Sequence, residues 1–200
     1  YRRQRQMCIR DSNNTHWICG DLRKGDFTVY KRSDLQAVSD NELNKPYDLL
    51  KKVSNWRRFY AVINAASVFM EKAPRTVELD RSYSEQNLKY DIAQVRALRA
   101  FAYFYMVRIW GDVPLVTYSY DNGTFPSMPR TDAQTVLSYA KAELLTAIED
   151  LPYQYGTQTN LYYGSYGAQW QGKLFNKLSA YSVFCLLYTS PSPRDPKTSR

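Results

Sequence analysis

Residues 90–117, YDIAQVRALRAFAYFYMVRIWGDVPLVT, decide the fold. Val95, Leu98, Ala102, Tyr105 or Met106, and Ile109 recur at intervals of three or four, which stacks them on one side of a helix. The spacing predicts a helix from about Asn87 to Trp110, with Ser84 and Glu85 near its start and Leu98 in its core stripe. Gly111 supplies the residue after the helix end, and Pro114 prevents continuation. Small Ala residues among large aromatics allow a partner helix to approach. The Gly-Asp-x-Pro turn then throws the chain out of the bundle.

Working outward, the same periodicity predicts an earlier helix over Asp48–Lys72, carrying Leu49, Val53, Trp56, Tyr60, Ile63, Ser67 and Met70 on one face and closed by Pro74. Between Trp110 and Arg130, repeated Gly, Pro, Asn and Asp predict an irregular loop, with Val113–Tyr118 able to pair briefly as a strand. The next helix is expected to open on a capping box, Thr131 with Gln134 three residues later. Its core face would hold Val136 or Leu137, Ala140, Leu144, and Ala147 or Ile148, and Leu151-Pro152 would end it. Tyr153–Trp170 is polar and dense in tyrosine. Lys173–Phe184 returns to a helical pattern through Leu174, Leu178 and Tyr181. The fold class is therefore mainly α, built from antiparallel helix pairs in the manner of tetratricopeptide repeats. No fixed period of about 34 residues is visible in the sequence itself.

The two ends read differently from the middle. Written with the codons ATG TGT ATA AGA GAC AG, Met7–Ser12 (MCIRDS) has a reverse complement that reads CLLYT in another frame, and CLLYT is the sequence of Cys185–Thr189. One DNA element in opposite orientations is what a transposase-type adapter leaves behind. Residues 1–12 and 185–200 are therefore expected to be translated adapter, with 13–184 the native segment. Residues 1–12 hold four Arg and one Asp, and 185–200 hold two Arg, one Lys and one Asp. Without them the formal charge falls from +8 to +3. The remaining Lys and Arg are scattered among Asp and Glu, so the focused basic stripe that phosphate contacts require is missing and nucleic-acid binding is not expected. Of the three cysteines only Cys19 lies in 13–184, which leaves no disulfide framework, no CxxC and no zinc spacing. No run of 18 or more apolar residues appears in the sequence.

Arg96, Leu98-Arg99-Ala100, Tyr103-Phe104 and Arg108, followed at once by Trp110-Gly111-Asp112-Val113-Pro114-Leu115-Val116, closely resemble the SusD/RagB family. Trp56–Asn64 (WRRFYAVIN) and the helix before Leu151-Pro152 are similar to the same family, and the resemblance covers most of Asp21–Phe184. It implies an incomplete SusD-like fold: a tetratricopeptide-like helical scaffold with long irregular loops. It further implies an outward-facing lipoprotein of the outer membrane, whose signal and lipid-bearing Cys are absent here. The implied partner is a SusC-like TonB-dependent transporter, to which the protein would deliver a glycan, oligosaccharide or other nutrient without catalysis, cofactor or metal. Two other readings compete: a helical-repeat interaction scaffold without small ligand, and a helical glycoside hydrolase.

Sugar capture needs flat rings that stack on pyranose C–H faces, together with planar polar groups for the hydroxyls. Two regions offer that mix. Trp17, Asp21, Arg23, Asp26 and Tyr30 stand in an irregular setting before the first helix, and this is the preferred ligand site because its position resembles where family members place part of theirs. Tyr153, Tyr155, Tyr162, Tyr163, Tyr166 and Trp170 form the second. For both, ordinary loop packing is the competing account. His16 is the sole histidine, so neither a Ser-His-Asp unit nor a His metal cluster can be assembled. Glu149-Asp150, and Asp21 with Asp26, could be imagined as glycosidase carboxylates, but acids at a helix end or in a turn are usually solvated faces or caps.

Overall fold

The computed structural model describes Leu22 and residues 28–42, 44–120, 126–155 and 173–189. The chain forms two compact units, residues 1–58 and 59–200.

In the first unit, α1 (Ser33–Ser39) and α2 (Asp48–Val53) are short. Their core is Val38, Leu50 and Ala37, with Leu22, Tyr47 and Leu49 packed against it. The single helix expected over Asp48–Lys72 is in fact two, because α2 stops at Val53 and α3 (Arg57–Lys72) starts afresh. The intervening Ser54 and Asn55 compete for the backbone: Ser54 Oγ donates to Lys51 O at 3.1 Å, and Asn55 Oδ1 accepts from Arg57 N at 3.1 Å.

The second unit contains the body of α3, then α4 (Pro74–Leu79), α5 (Glu85–Trp110), α6 (Ala133–Asp150) and α7 (Lys177–Thr189). Pro74 ends α3 as expected and serves α4 at its first turn, where the missing N–H costs nothing. Contacting residues show that successive long helices run antiparallel. Ser67 meets Arg99 while Phe59 meets Tyr105; Glu143 meets Arg99 while Tyr139 meets Tyr103; Pro152 meets Lys177 while Lys141 meets Tyr188. This is the tetratricopeptide-like pairing that the sequence implied. Among the described residues, extended pairing is limited to one bridge between Val113 and Thr131, where a short strand was a possibility.

The core face of α6 matches its sequence pattern: Val136, Ala140, Leu144 and Ala147 are fully buried. On α5 the outcome is mixed. Ala102, Met106 and Ile109 of the expected stripe are buried, but Val95 is only half-buried and Leu98 is 43% exposed. A second row, Ala93, Ala97, Ala100, Phe104 and Val107, is buried as well, and periodicity alone does not reveal it. Toward the start of the helix the alanine row takes the buried side, where small side chains let a partner helix come close. On α7 the expected face is turned outward: its buried residues are Ala180, Val183 and Leu187, while Leu178 and Tyr181 are exposed. This helix also extends to Thr189, past the boundary expected at 184.

The turn after α5 is set by the backbone. Gly111 has φ +73° and ψ −119°, a conformation that strains any residue with a side chain, although an added Cβ would meet nothing within 4 Å. Its N–H donates to Val107 O at 2.9 Å and closes the helix.

Candidate functional site

A ligand can use only those polar groups that the fold has not already engaged. The most deeply engaged is Arg99, 5% exposed. Its guanidinium donates to Glu143 Oε2 from Nε at 3.1 Å and also from Nη2, and to Ser67 Oγ from Nη1 at 2.9 Å. It also lies over the Tyr139 ring, with Cζ 5.7 Å from the centroid. Arg96 Nη1 approaches the other Glu143 oxygen at 3.3 Å. These contacts lock α3, α5 and α6 together. Arg96 and Arg99 belong to the family motif in the sequence, but their carboxylate partner, 44 residues after Arg99, is visible only in the fold.

The Gly-Asp-Val-Pro turn is engaged as fully. Asp112 Oδ1 accepts from Ala133 N at 2.9 Å, while Asp132 Oδ2 accepts from Gln134 N at 3.0 Å. The N-cap of α6 is thus Asp132, not Thr131, and a second carboxylate arrives from across the loop. Thr131 N is instead used in the bridge to Val113 O. Tyr60 donates its hydroxyl to Pro114 O at 2.6 Å. Tyr103 donates to Val116 O at 2.7 Å and accepts from Val116 N at 2.9 Å. Asn64 pairs both ways with the Tyr120 backbone, at 2.8 and 3.0 Å. Toward the other end of α5, Gln94 binds the Phe175 backbone and the Tyr155 hydroxyl, and that hydroxyl donates to Phe175 O at 2.8 Å. Tyr155 is therefore a buried strut rather than a ligand platform.

Burial raises the hydroxyl pKa of Tyr60, Tyr103 and Tyr155 well above the ordinary tyrosine value. Because the folded values lie above the unfolded one, their contribution is intact below pH about 10 and is lost as pH climbs from there toward the folded values. In an alkaline titration, ionisation of these three tyrosines should therefore coincide with loss of helix. Their ionisation in a chain of undiminished helicity would refute the assignment.

Of the preferred ligand residues, Trp17, Asp21, Arg23 and Asp26 lie outside the described residues. Tyr30 is described and is 78% exposed, with Lys31 Nζ 5.0 Å from its ring centroid. His16 and Cys19 also lie outside the described residues, as do Tyr162, Tyr163, Tyr166 and Trp170. Tyr153 is 66% exposed. It borders a cleft of about 310 Å³ to which α5 contributes Gln86, Lys89 and Tyr90. Glu149 and Asp150 at the end of α6, and Lys177 at the start of α7, complete the polar lining. Adjacent acids suggested a solvated helix end, and both are exposed as expected. The sequence did not reveal that Lys89 and Lys177 share their cleft, since only the antiparallel pairing brings these positions together. Among the described residues no group of three or more His, Cys, Asp or Glu could hold a metal. None of their helices is long and apolar enough to cross a membrane.

The model of a family described as SusD-like, "Starch-binding associating with outer membrane", matches residues 6–165. The chain belongs to the SusD-like family. A SusD superfamily protein of known structure from Bacteroides thetaiotaomicron is 98% identical, superimposes with a TM-score of 0.81, and is matched over 88% of this chain and 38% of its own. A SusD-like protein of Formosa agariphila is 34% identical over 59% of this chain. The chain spans 22% of that relative's length. A structure described as a laminarin-binding SusD-like protein is 25% identical with a TM-score of 0.57, over 77% of this chain and 29% of that one. Another, described as containing a xylogluco-oligosaccharide, is 25% identical with a TM-score of 0.51, over 71% and 24%. The SusD-like motif in α5 and its turn thus forms the joint of the scaffold, through the buried contacts of Arg99 and Tyr103 and the bond that Asp112 accepts from the start of α6.

Proposed function

We propose that this chain is the helical scaffold region of a non-catalytic glycan-binding protein at the bacterial cell surface, which hands oligosaccharide to a SusC-like TonB-dependent transporter. The family match over residues 6–165 carries this reading. It is supported by the similarity to a laminarin-binding protein and to a structure with a xylogluco-oligosaccharide. In this reading the protein faces outward from the outer membrane on a lipid anchor, residues 13–184 are the native segment, and Trp17, Asp21, Arg23, Asp26 and Tyr30 contact the glycan. Tyr30 supports the last point by presenting an open ring.

Calorimetry of the full-length protein on laminarin and xyloglucan oligosaccharides tests the reading. Binding without release of reducing sugar is expected, and Trp17→Ala should weaken it about tenfold, the loss of one well-placed aromatic contact. Sugar release abolished by removing one carboxylate would overturn it in favour of a glycoside hydrolase. Co-purification with the adjacent transporter tests delivery, and sequencing the genomic locus across residues 12 and 185 tests the native boundaries.

A further inference from the structure

The cleft bounded by α5, α6 and α7 is polar, open and rigidly framed. Its α5 wall is fixed where Ser84 Oγ accepts from Asn87 N at 3.2 Å and Tyr83 donates to Asp91 Oδ2 at 2.6 Å. The α7 wall is fixed by a reciprocal cap, in which Asn176 N donates to Ser179 Oγ at 2.9 Å and Ser179 N to Asn176 Oδ1 at 2.8 Å. Lys177 N donates to Pro152 O at 3.0 Å and ties this wall to the end of α6, where Leu151 is buried. A frame set by such bonds loses little freedom when a ligand enters.

The lining groups are chemically suited to a polyol. Sugar hydroxyls both donate and accept, so they need acceptors and donors side by side. Glu149 and Asp150 accept, Lys89 and Lys177 donate, and Gln86 does both. Among the described residues, neither lysine forms an ion pair with either acid, so these charges are not spent on each other. Tyr153 adds an exposed ring, with Lys177 Nζ over one face at 5.3 Å from its centroid. Among the described lining residues, two positive and two negative side chains balance, which disfavours uronates and sulfated sugars. A volume of about 310 Å³ suits a short stretch of glycan rather than a long chain.

We infer that this cleft is a glycan contact site for a neutral oligosaccharide, separate from the Trp17–Tyr30 region. The inference rests on the glycan-binding reading above. Its test is calorimetry of the full-length protein with laminarin and xyloglucan oligosaccharides, with polygalacturonate as the charged probe. Tyr153→Ala and the isosteric Glu149→Gln both alter exposed side chains, so melting temperature should not change. Each should weaken binding of the neutral glycan about tenfold. Wild-type affinity in both variants would overturn the cleft while leaving glycan binding intact. Failure of the unmodified protein to bind either neutral glycan would overturn the glycan reading and the cleft with it. Preference for polygalacturonate, strengthened by Glu149→Gln, would overturn the assignment to a neutral ligand.

Discussion

Replacing Glu143 with Gln should destabilise the protein by about 3–5 kcal/mol, because the substitution strands the Arg99 guanidinium in the interior without a counter-charge. Glutamine keeps the shape and one acceptor, so the loss reports charge rather than packing. The pair itself need not add net stability, since taking two ions out of water offsets much of their attraction. The double variant Arg99→Met, Glu143→Leu should therefore recover most of the loss in urea unfolding. A single variant with an unchanged midpoint would show that water reaches Arg99, and a double variant as unstable as the single would show that packing, not charge, governs the site.

The second large effect separates two leucines of one chemistry. Leu144→Ala should cost about 2–5 kcal/mol, because Leu144 is fully buried on α6 and its removal leaves a cavity in the helical core. Leu98→Ala should cost less than about 1 kcal/mol, since 43% of Leu98 already meets solvent. The comparison uses one method and one denaturant, so it does not depend on absolute stability. Equal costs would mean that α5 is rotated from the orientation described here.

Leu98 also marks the limit of what could be read from sequence. Helix ends were legible at Ser84, Gly111, Pro74 and Leu151-Pro152, because capping and proline chemistry act within a few residues. The α6 stripe was legible because its other faces are polar. The α5 stripe was legible only in part, at Ala102, Met106 and Ile109, and the α7 stripe was not, because both helices carry apolar residues on nearly every side and only the neighbouring helix selects a face. The break at Ser54-Asn55 was present as two capping residues inside an apparently continuous helical pattern. Thr131-x-x-Gln134 looked like a capping box, but the better acceptors came from Asp132 and from Asp112, 21 residues earlier. The cleft was illegible for the same reason: Lys89, Glu149 and Lys177 are far apart in sequence, and only helix pairing assembles them.

The clamped segment after Gly111 has a consequence for the order of folding. The amides of Val116 and Tyr120 are held by side chains of Tyr103 and Asn64, not by a helix ladder or a sheet. Asn64 reaches Tyr120 across 56 residues of chain, so that bond must wait until α3 and α5 have docked. Helix formation alone leaves the Tyr120 amide open to solvent exchange. Deuterium uptake at Tyr120 is thus a clock for tertiary docking, separate from the one that runs along the helices.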